Sequence, residues 1–346
     1  MVTTISLRRQ VGVIAAFAYI LGLTALCWAG SPAGVPALDA FSQNKRLGKG
    51  VNVLSSDPIW RDRQKARFQE KHFRLIKEAS FDHIRVNLHP FRNTGMGADY
   101  KIRAEWFETL DWIVQQALAN RLIAILDLHE FREMGRDPEG NRERFLAAWQ
   151  QIAERYQKAS DDVFFEILNE PSEKLTSELW NALLREALDK IRLSNPHRMV
   201  IVGPTSYNKI KDLDQLSLPD EDRNLIVTVH YYNPFPFTHQ GAYWTSLKDK
   251  TGVLWNGTPK EQQAIINDFD KAQAWCQKHR RPLYLGEFGA YDKAETDSRV
   301  RWTSFVVQQA RQRDWSWAWW QFDSDFILYD MQQDHWVEPI RAALMQ

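Results

Sequence analysis

From about residue 50 to its end the chain alternates two kinds of apolar spacing. Short runs rich in Val, Ile, Leu and aromatic residues occupy 50–54, 83–88, 123–129, 163–169, 199–202, 225–231, 283–287 and 315–322, and their near-continuous apolar character is that of strands covered on both faces. Between them apolar residues recur every three or four positions over 67–79, 104–119, 142–157, 177–193, 260–278 and 298–313, with a last stretch from 335, which predicts amphipathic helices. The link from 202 to 225 has the weakest helical pattern. Thr176 is an N-cap candidate, Asn195-Pro196 stops the helix it opens, and Arg281-Pro282 separates the next helix from its strand. Eight strands alternating with helices predict an α/β fold with a parallel sheet, and a count of eight favours a single (β/α)8 TIM barrel over residues 47–346. A doubly wound sheet would need a phosphate-binding turn after its first strand, and no GxGxxG occurs there.

The N-terminus reads differently. Arg8 and Arg9 precede an uncharged run over 11–28, followed by the small residues Ala29, Gly30, Ser31 and Ala33, which is the layout of an export signal with cleavage expected after Ala29. The run is long for a signal core and short for a membrane span, so an uncleaved anchor is the alternative over residues 1–29. Either way the protein is expected to be exported, periplasmic or extracellular. Residues 30–46 are expected to form a short linker. Cleavage would also remove Cys27 and leave Cys276, on a helical pattern, as a buried thiol, so stability must come from core packing.

Charge narrows the function classes. Lys+Arg and Asp+Glu both number 44, which argues against a general affinity for nucleic acid and leaves membrane contact to an uncleaved N-terminal segment. Fifteen Trp and ten Tyr suit both a core and the flat faces of sugar rings.

In a parallel barrel the chemistry sits at the C-terminal ends of the strands. One run ends in Asn169-Glu170-Pro171 and another on Glu287. Two carboxylates from separate strand ends are what acid-catalysed cleavage of a sugar acetal requires, one donating a proton and the other attacking or activating water. Alternation along each strand groups Arg85 with Asn87 and His89, His129 with Asp127, Glu170 with Leu168 and Glu166, His230 with Thr228 and Tyr232, Glu287 with Leu285 and Leu283, and Trp320 with Ala318 and Ser316. Trp315, Trp317 and Trp319 are expected to face the helices, leaving Trp320 over the barrel mouth as a sugar-stacking platform. Glu166 and Asp127 lie deeper and read as ion-paired interior groups, while His72, His83, His197 and His279 read as surface or packing residues.

Three segments carry a resemblance: 165–171 around Asn169-Glu170-Pro171; His230-Tyr231-Tyr232-Asn233-Pro234-Phe235 with the following Thr238-His239-Gln240-Gly241-Ala242; and 285–291 around Glu287. In this order they resemble glycoside hydrolase family 5, the cellulase family of clan A. The resemblance runs from about residue 48 to the C-terminal helix. It implies Glu170 as general acid/base and Glu287 as nucleophile of a retaining mechanism, with carboxyl groups ~5–5.5 Å apart. It also implies Arg85 beside the nucleophile, Tyr232 hydrogen-bonding it, Asn169 on the sugar 2-hydroxyl, and His129 and His230 lining the cleavage subsite. His239 and Trp244 are candidates for flanking sugar contacts. The charge of Glu287 is expected to raise the pKa of Glu170, and Arg85 to keep Glu287 ionised. The chain departs from many relatives after the first strand (Asn52-Val53-Leu54-Ser55-Ser56-Asp57), at Glu130, and at His89-Pro90-Phe91, all on loops that shape the cleft.

The leading expectation is an endo-β-1,4-glucanase acting on β-glucan without metal or cofactor, as a monomer. Within the same family the alternatives are a β-mannanase, a mixed glucan/mannan hydrolase, or an exo-β-glucanase. A metal-dependent barrel hydrolase using Asp127, His129, Glu170 and His230 would want a paired-histidine, HxxxH or HExxH ligand motif, and none appears. A silent sugar-binding protein would have no use for both glutamates together with their polar neighbours.

Overall fold

The structure, a computed structural model, describes residue 1 and residues 39–55, 57–95 and 99–346. The export segment expected over 1–29 lies outside the described residues apart from its first residue, and no described helix is long and apolar enough to cross a membrane.

Eight strands, β1 (Lys49–Val53), β2 (His83–Leu88), β3 (Ile123–Leu128), β4 (Val163–Glu166), β5 (Val200–Val202), β6 (Leu225–Tyr231), β7 (Leu283–Phe288) and β8 (Ser316–Trp319), pair in chain order, and β8 closes on β1. All eight pairings are parallel. The sheet is thus the closed barrel that the spacing predicts. Outside it lie α2 (Glu70–Glu78), α3 (Ala104–Ala119), α4 (Phe131–Arg136), α5 (Pro138–Arg155), α6 (Ser177–Ser194), α7 (Pro259–His279), α8 (Thr296–Arg311) and α9 (Glu338–Met345). The helix expected from 335 starts at Glu338, because His335–Trp336 pairs antiparallel with Tyr329–Asp330 in a small hairpin first.

The strands are covered on both faces, which explains their continuous apolar sequence. Trp315, Trp317 and Trp319 face the helical shell, whereas Ile123, Ile125, Phe164, Ile201, Ile226, Tyr284 and Ala318 fill the interior. The lower end is closed by α1 (Ala40–Leu47), capped by the Asp39 carboxylate. Asn44 donates to the Leu283 carbonyl at 2.9 Å and accepts from Ser316 Oγ at 2.7 Å, and the Leu47 carbonyl meets His83 Nδ1 at 2.6 Å. Residues 40–46, expected as linker, are therefore the barrel floor: they bury Ala40, Gln43 and Asn44 and satisfy strand-end polar groups. His83 stands in this floor, its Nε2 2.9 Å from the Tyr284 hydroxyl. Gly50 makes room for it, since a Cβ there would lie 2.0 Å from His83 Nε2.

Two departures from regular geometry shape the upper end. Between β6 and β7 the register slips: Val229 pairs with Leu285, but His230 pairs with Glu287. A bulge of this kind re-aims the side chain that follows it. Strand alternation had grouped Glu287 with Leu283 and Leu285, yet both leucines belong to the outer shell and Tyr284 to the interior. The irregularity at Gly286, not simple alternation, turns Glu287 inward. In the link after β5, the helix-poor segment holds three consecutive left-handed residues, Ser206 (φ 58°), Tyr207 (φ 67°) and Asn208 (φ 54°), before a 3-10 turn over Ile210–Gln215.

Candidate active site

Arg85, fully buried on β2, is the hub of the upper barrel. Its Nε and Nη2 grip Glu166 in a fork at 2.7 and 2.8 Å, the bidentate geometry that suits guanidinium and carboxylate. Its Nη1 donates to Glu287 Oε1 and to Asn52 Oδ1, each at 2.7 Å. Nη2 also reaches Asn169 Oδ1 at 2.9 Å and lies 3.2 Å from Asp127 Oδ2. Burial disfavours the charge of Arg85, yet Asp127, Glu166 and Glu287 together hold it well above its ordinary value, so the guanidinium stays charged. Burial outweighs the pull of Arg85 at Asp127 and Glu166, and both carboxyls are held above their usual range. The interior ion pairing expected for Glu166 and Asp127 is present.

Asn169 and Glu170 follow the last paired residue of β4, and both point to the mouth, which two adjacent residues of a regular strand cannot do. Glu170 achieves this with a left-handed backbone, φ 45°, a conformation that costs a non-glycine residue about 1–3 kcal/mol. Its Oε1 lies 2.9 Å from His230 Nδ1. The same nitrogen is 3.4 Å from Glu287 Oε2, and Tyr232 donates its hydroxyl to that oxygen at 3.0 Å. Glu170, His230 and Glu287 present polar atoms all within 4.8 Å of one another. The two glutamates singled out from sequence therefore stand close together at the barrel mouth.

Their environments differ. Burial pushes Glu170 up to about 8, with Asp127 and Glu166 adding to the rise and Arg85 and Lys209 opposing it. Burial is thus the leading cause, where the sequence suggested the charge of Glu287. Glu287 is also raised by burial, to about 7, against the pull of His230 and Arg85. The guanidinium of Arg85 and the hydroxyl of Tyr232 donate directly to Glu287 and favour its ionised form. Burial lowers His230 below its ordinary value, against the pull of Glu287. With Nδ1 facing two carboxyl oxygens, the ring proton belongs on Nδ1, and Nε2 accepts from Asn208 Nδ2 at 3.2 Å.

The remaining expected residues gather at the same mouth. His129 Nδ1 is 2.6 Å from Asp127 Oδ2, and its ring stacks on Trp320 with centroids 5.6 Å apart at 6°. Burial, then His89 and Arg85, holds His129 well below its ordinary value. His239 stacks on Phe235 at 4.0 Å and stands edge-on to Tyr232 at 4.9 Å, with Trp244 at 6.4 Å. Trp244 is 40% exposed and packs edge-on against Tyr243 and Tyr291. Glu170, His230 and Glu287 are also the one group among the described residues able to converge on a cation. The four-residue ligand set weighed from sequence does not form: Asp127 and His129 pair with each other, and Asp127 leans on Arg85.

Three supporting residues, Asn52, Asn87 and Asn208, receive no role in the site from sequence. Asn52 bridges Arg85 to the carbonyls of Gly286 and Trp319, at 3.1 and 3.2 Å, and so fixes the bulge beneath Glu287. Asn87 donates to Asp127 Oδ2 at 3.0 Å. Asn208 reaches His230 only through the left-handed turn, for which no residue pattern gives a signal. Asn52 and Asn87 were findable, since both are polar residues on interior-facing strand positions.

Comparison with known proteins agrees with this geometry. The sequence profile of the family described as cellulase (glycosyl hydrolase family 5) matches residues 44–325. Endoglucanase H of Acetivibrio thermocellus is 28% identical over 312 residues, which cover 88% of this chain and 33% of the relative, so the chain spans a third of that protein. Thermotoga maritima Cel5A, solved in complex with mannotriose, is 40% identical with a TM-score of 0.84, covering 88% of this chain and 100% of that one. The same protein solved with cellobiose gives 41% identity, a TM-score of 0.84 and the same coverage.

Proposed function

The chain belongs to the cellulase family, glycosyl hydrolase family 5, and from that membership we propose a retaining endo-β-1,4-glucanase with Glu170 as acid/base and Glu287 as nucleophile. The observation that carries the reading is the approach of the two carboxyl groups, one oxygen of each lying within 4.8 Å of the other. A retaining pair stands ~5–5.5 Å apart, while an inverting pair needs ~6.5–9.5 Å to admit a water. Glu287, ionised and held by Arg85 and Tyr232, attacks the anomeric carbon as Glu170 protonates the leaving oxygen. Forming the glycosyl ester removes the negative charge of Glu287 and so lowers the proton affinity of Glu170, which then acts as base on the water that releases the sugar from Glu287. Asn169, held by Arg85 through its carbonyl oxygen, turns its amide to the sugar 2-hydroxyl, where a hydrogen bond strengthens as positive charge grows on the ring. Trp320, stacked against His129, offers its face to the sugar at the cleavage subsite. His230 lines that subsite, and His239 and Trp244 flank it.

Hydrolysis of cellotetraose followed by proton NMR tests the proposal. The first product formed should be the β-anomer, and an α-anomer as first product would refute the double displacement. A panel of carboxymethylcellulose, barley glucan, glucomannan and laminarin assigns the polysaccharide. Mannan as the preferred substrate is the second reading, favoured by the mannotriose-bound relative. Export, through the segment over residues 1–29, is proposed on the charge and apolar pattern of that segment alone.

A further inference from the structure

One hydrogen-bonding group of the cleft wall has no part in the roles above. His89 follows the last residue of β2. Its Nδ1 is buried without a hydrogen bond and lies 3.8 Å from Glu130 Oε2, which is equally buried and unbonded. The other oxygen, Glu130 Oε1, accepts from the Phe91 backbone N–H at 2.6 Å and so anchors the 3-10 turn Pro90–Asn93. The His89 side chain keeps 14% exposure. With Nδ1 buried, that exposure belongs to the opposite edge of the ring, where Nε2 has no bonding partner among the described residues. The ring stands edge-on to His129, centroids 5.5 Å apart at 79°, and His129 lies against Trp320. Trp320, His129 and His89 thus form a row of rings that leads from the reacting centre toward β2. Glu130 with His89 repeats one strand away the arrangement of Asp127 with His129, a carboxylate from the end of β3 facing the Nδ1 of an imidazole.

We propose that His89, oriented by Glu130, is a sugar-contacting residue of a glycone subsite beyond the cleavage subsite, with Nε2 bonding a hydroxyl of the retained part of a β-linked glucan. The proposal rests on the glucanase reading above. Glu170, which protonates the leaving part, stands beyond the end of β4 with its Oε1 2.9 Å from His230 of β6, so the leaving sugars run over β5 and β6. The retained sugars then run the other way, along the wall of β8, β1 and β2 where His89 stands. Nε2 is the free hydrogen-bonding atom of the ring. Glu130 is a positioning residue: it sets both the ring and the backbone that carries it.

The test compares two dinitrophenyl β-glycosides with the same leaving group, one presenting a single glucose and one presenting cellotriose. His89→Ala should lower kcat/KM on the cellotrioside about fivefold more than on the glucoside, the order expected for one lost hydrogen bond, with the difference in KM. His89→Gln, which keeps a hydrogen-bonding group, should recover part of it, and Glu130→Gln should show the same selectivity in weaker form. On the Glu287→Gln background, His89→Ala should weaken calorimetric binding of cellotetraose by a similar factor. Equal losses on both glycosides, or none on either, would overturn the subsite. A wild-type enzyme that cleaves neither glycoside and no β-glucan would instead overturn the glucanase reading, and the subsite with it.

Discussion

At the scale of single residues the site is governed by burial and one guanidinium. If Glu287 must be ionised and Glu170 protonated, the acid limb of kcat/KM follows the group at about 7 and the basic limb the group at about 8, giving a bell-shaped profile with its maximum between them. A maximum below pH 5 would contradict the burial that raises both. Glu287→Gln should lose turnover by orders of magnitude while still binding cellotetraose in calorimetry. Glu170→Gln should lose about 10²–10⁴-fold on cellotetraose, the usual span for an acid/base, and much less on a dinitrophenyl glycoside whose leaving group needs no proton. Stability carries the same signature. The folded pKa of Glu170 is raised above its unfolded value, so the native state binds the proton more tightly and the associated stability is full below about 4.5 and lost as pH rises toward about 8. Thermal melts at pH 9 and pH 5 should therefore show Glu170→Gln gaining on wild type at the higher pH. A gain equal at both would sink the linkage.

Among the elements, strand order, closure and the outward tryptophans were legible because apolar spacing reports what each face touches, as Trp315, Trp317 and Trp319 show. The final placement of the two glutamates was not. Glu287 depends on a register slip at Gly286 and Glu170 on a left-handed backbone, and both obey three-dimensional fit, not residue type. The pair could still be found, because strand ends bring them to the mouth whatever the local twist. Asn208 could not, since its reach to His230 passes through three left-handed residues. The bulge has its own test. A Cβ at Gly286 would lie 2.5 Å from Thr228 Oγ1 and 3.2 Å from His230 Nε2. Gly286→Ala should therefore destabilise by about 1–3 kcal/mol in urea unfolding, and lower kcat by shifting His230 and Glu287. Unchanged kcat at full occupancy of the fold would mean that the slip does not position the nucleophile.

Across the whole molecule the barrel divides into a floor that stabilises and a mouth that reacts. Asn44→Ala strips two partners from the floor, the Leu283 carbonyl and Ser316 Oγ, at a cost of about 1–3 kcal/mol for each group left unsatisfied, with kcat/KM unaffected. A urea midpoint that does not move would show the floor helix to be dispensable. Full hydrolysis in excess chelator is expected, since Arg85 already supplies the positive charge beside Glu287, and loss of activity restored by a divalent cation would reverse that assignment. Arg85 also sets a limit on engineering. One guanidinium contacts three carboxylates and orients two amides in a buried layer, so any redesign of that layer changes ionisation, geometry and folding at once. Libraries aimed at heat resistance will find their freedom in the helical jacket and the floor, and variants that touch the arginine's ring of partners will fail as a group.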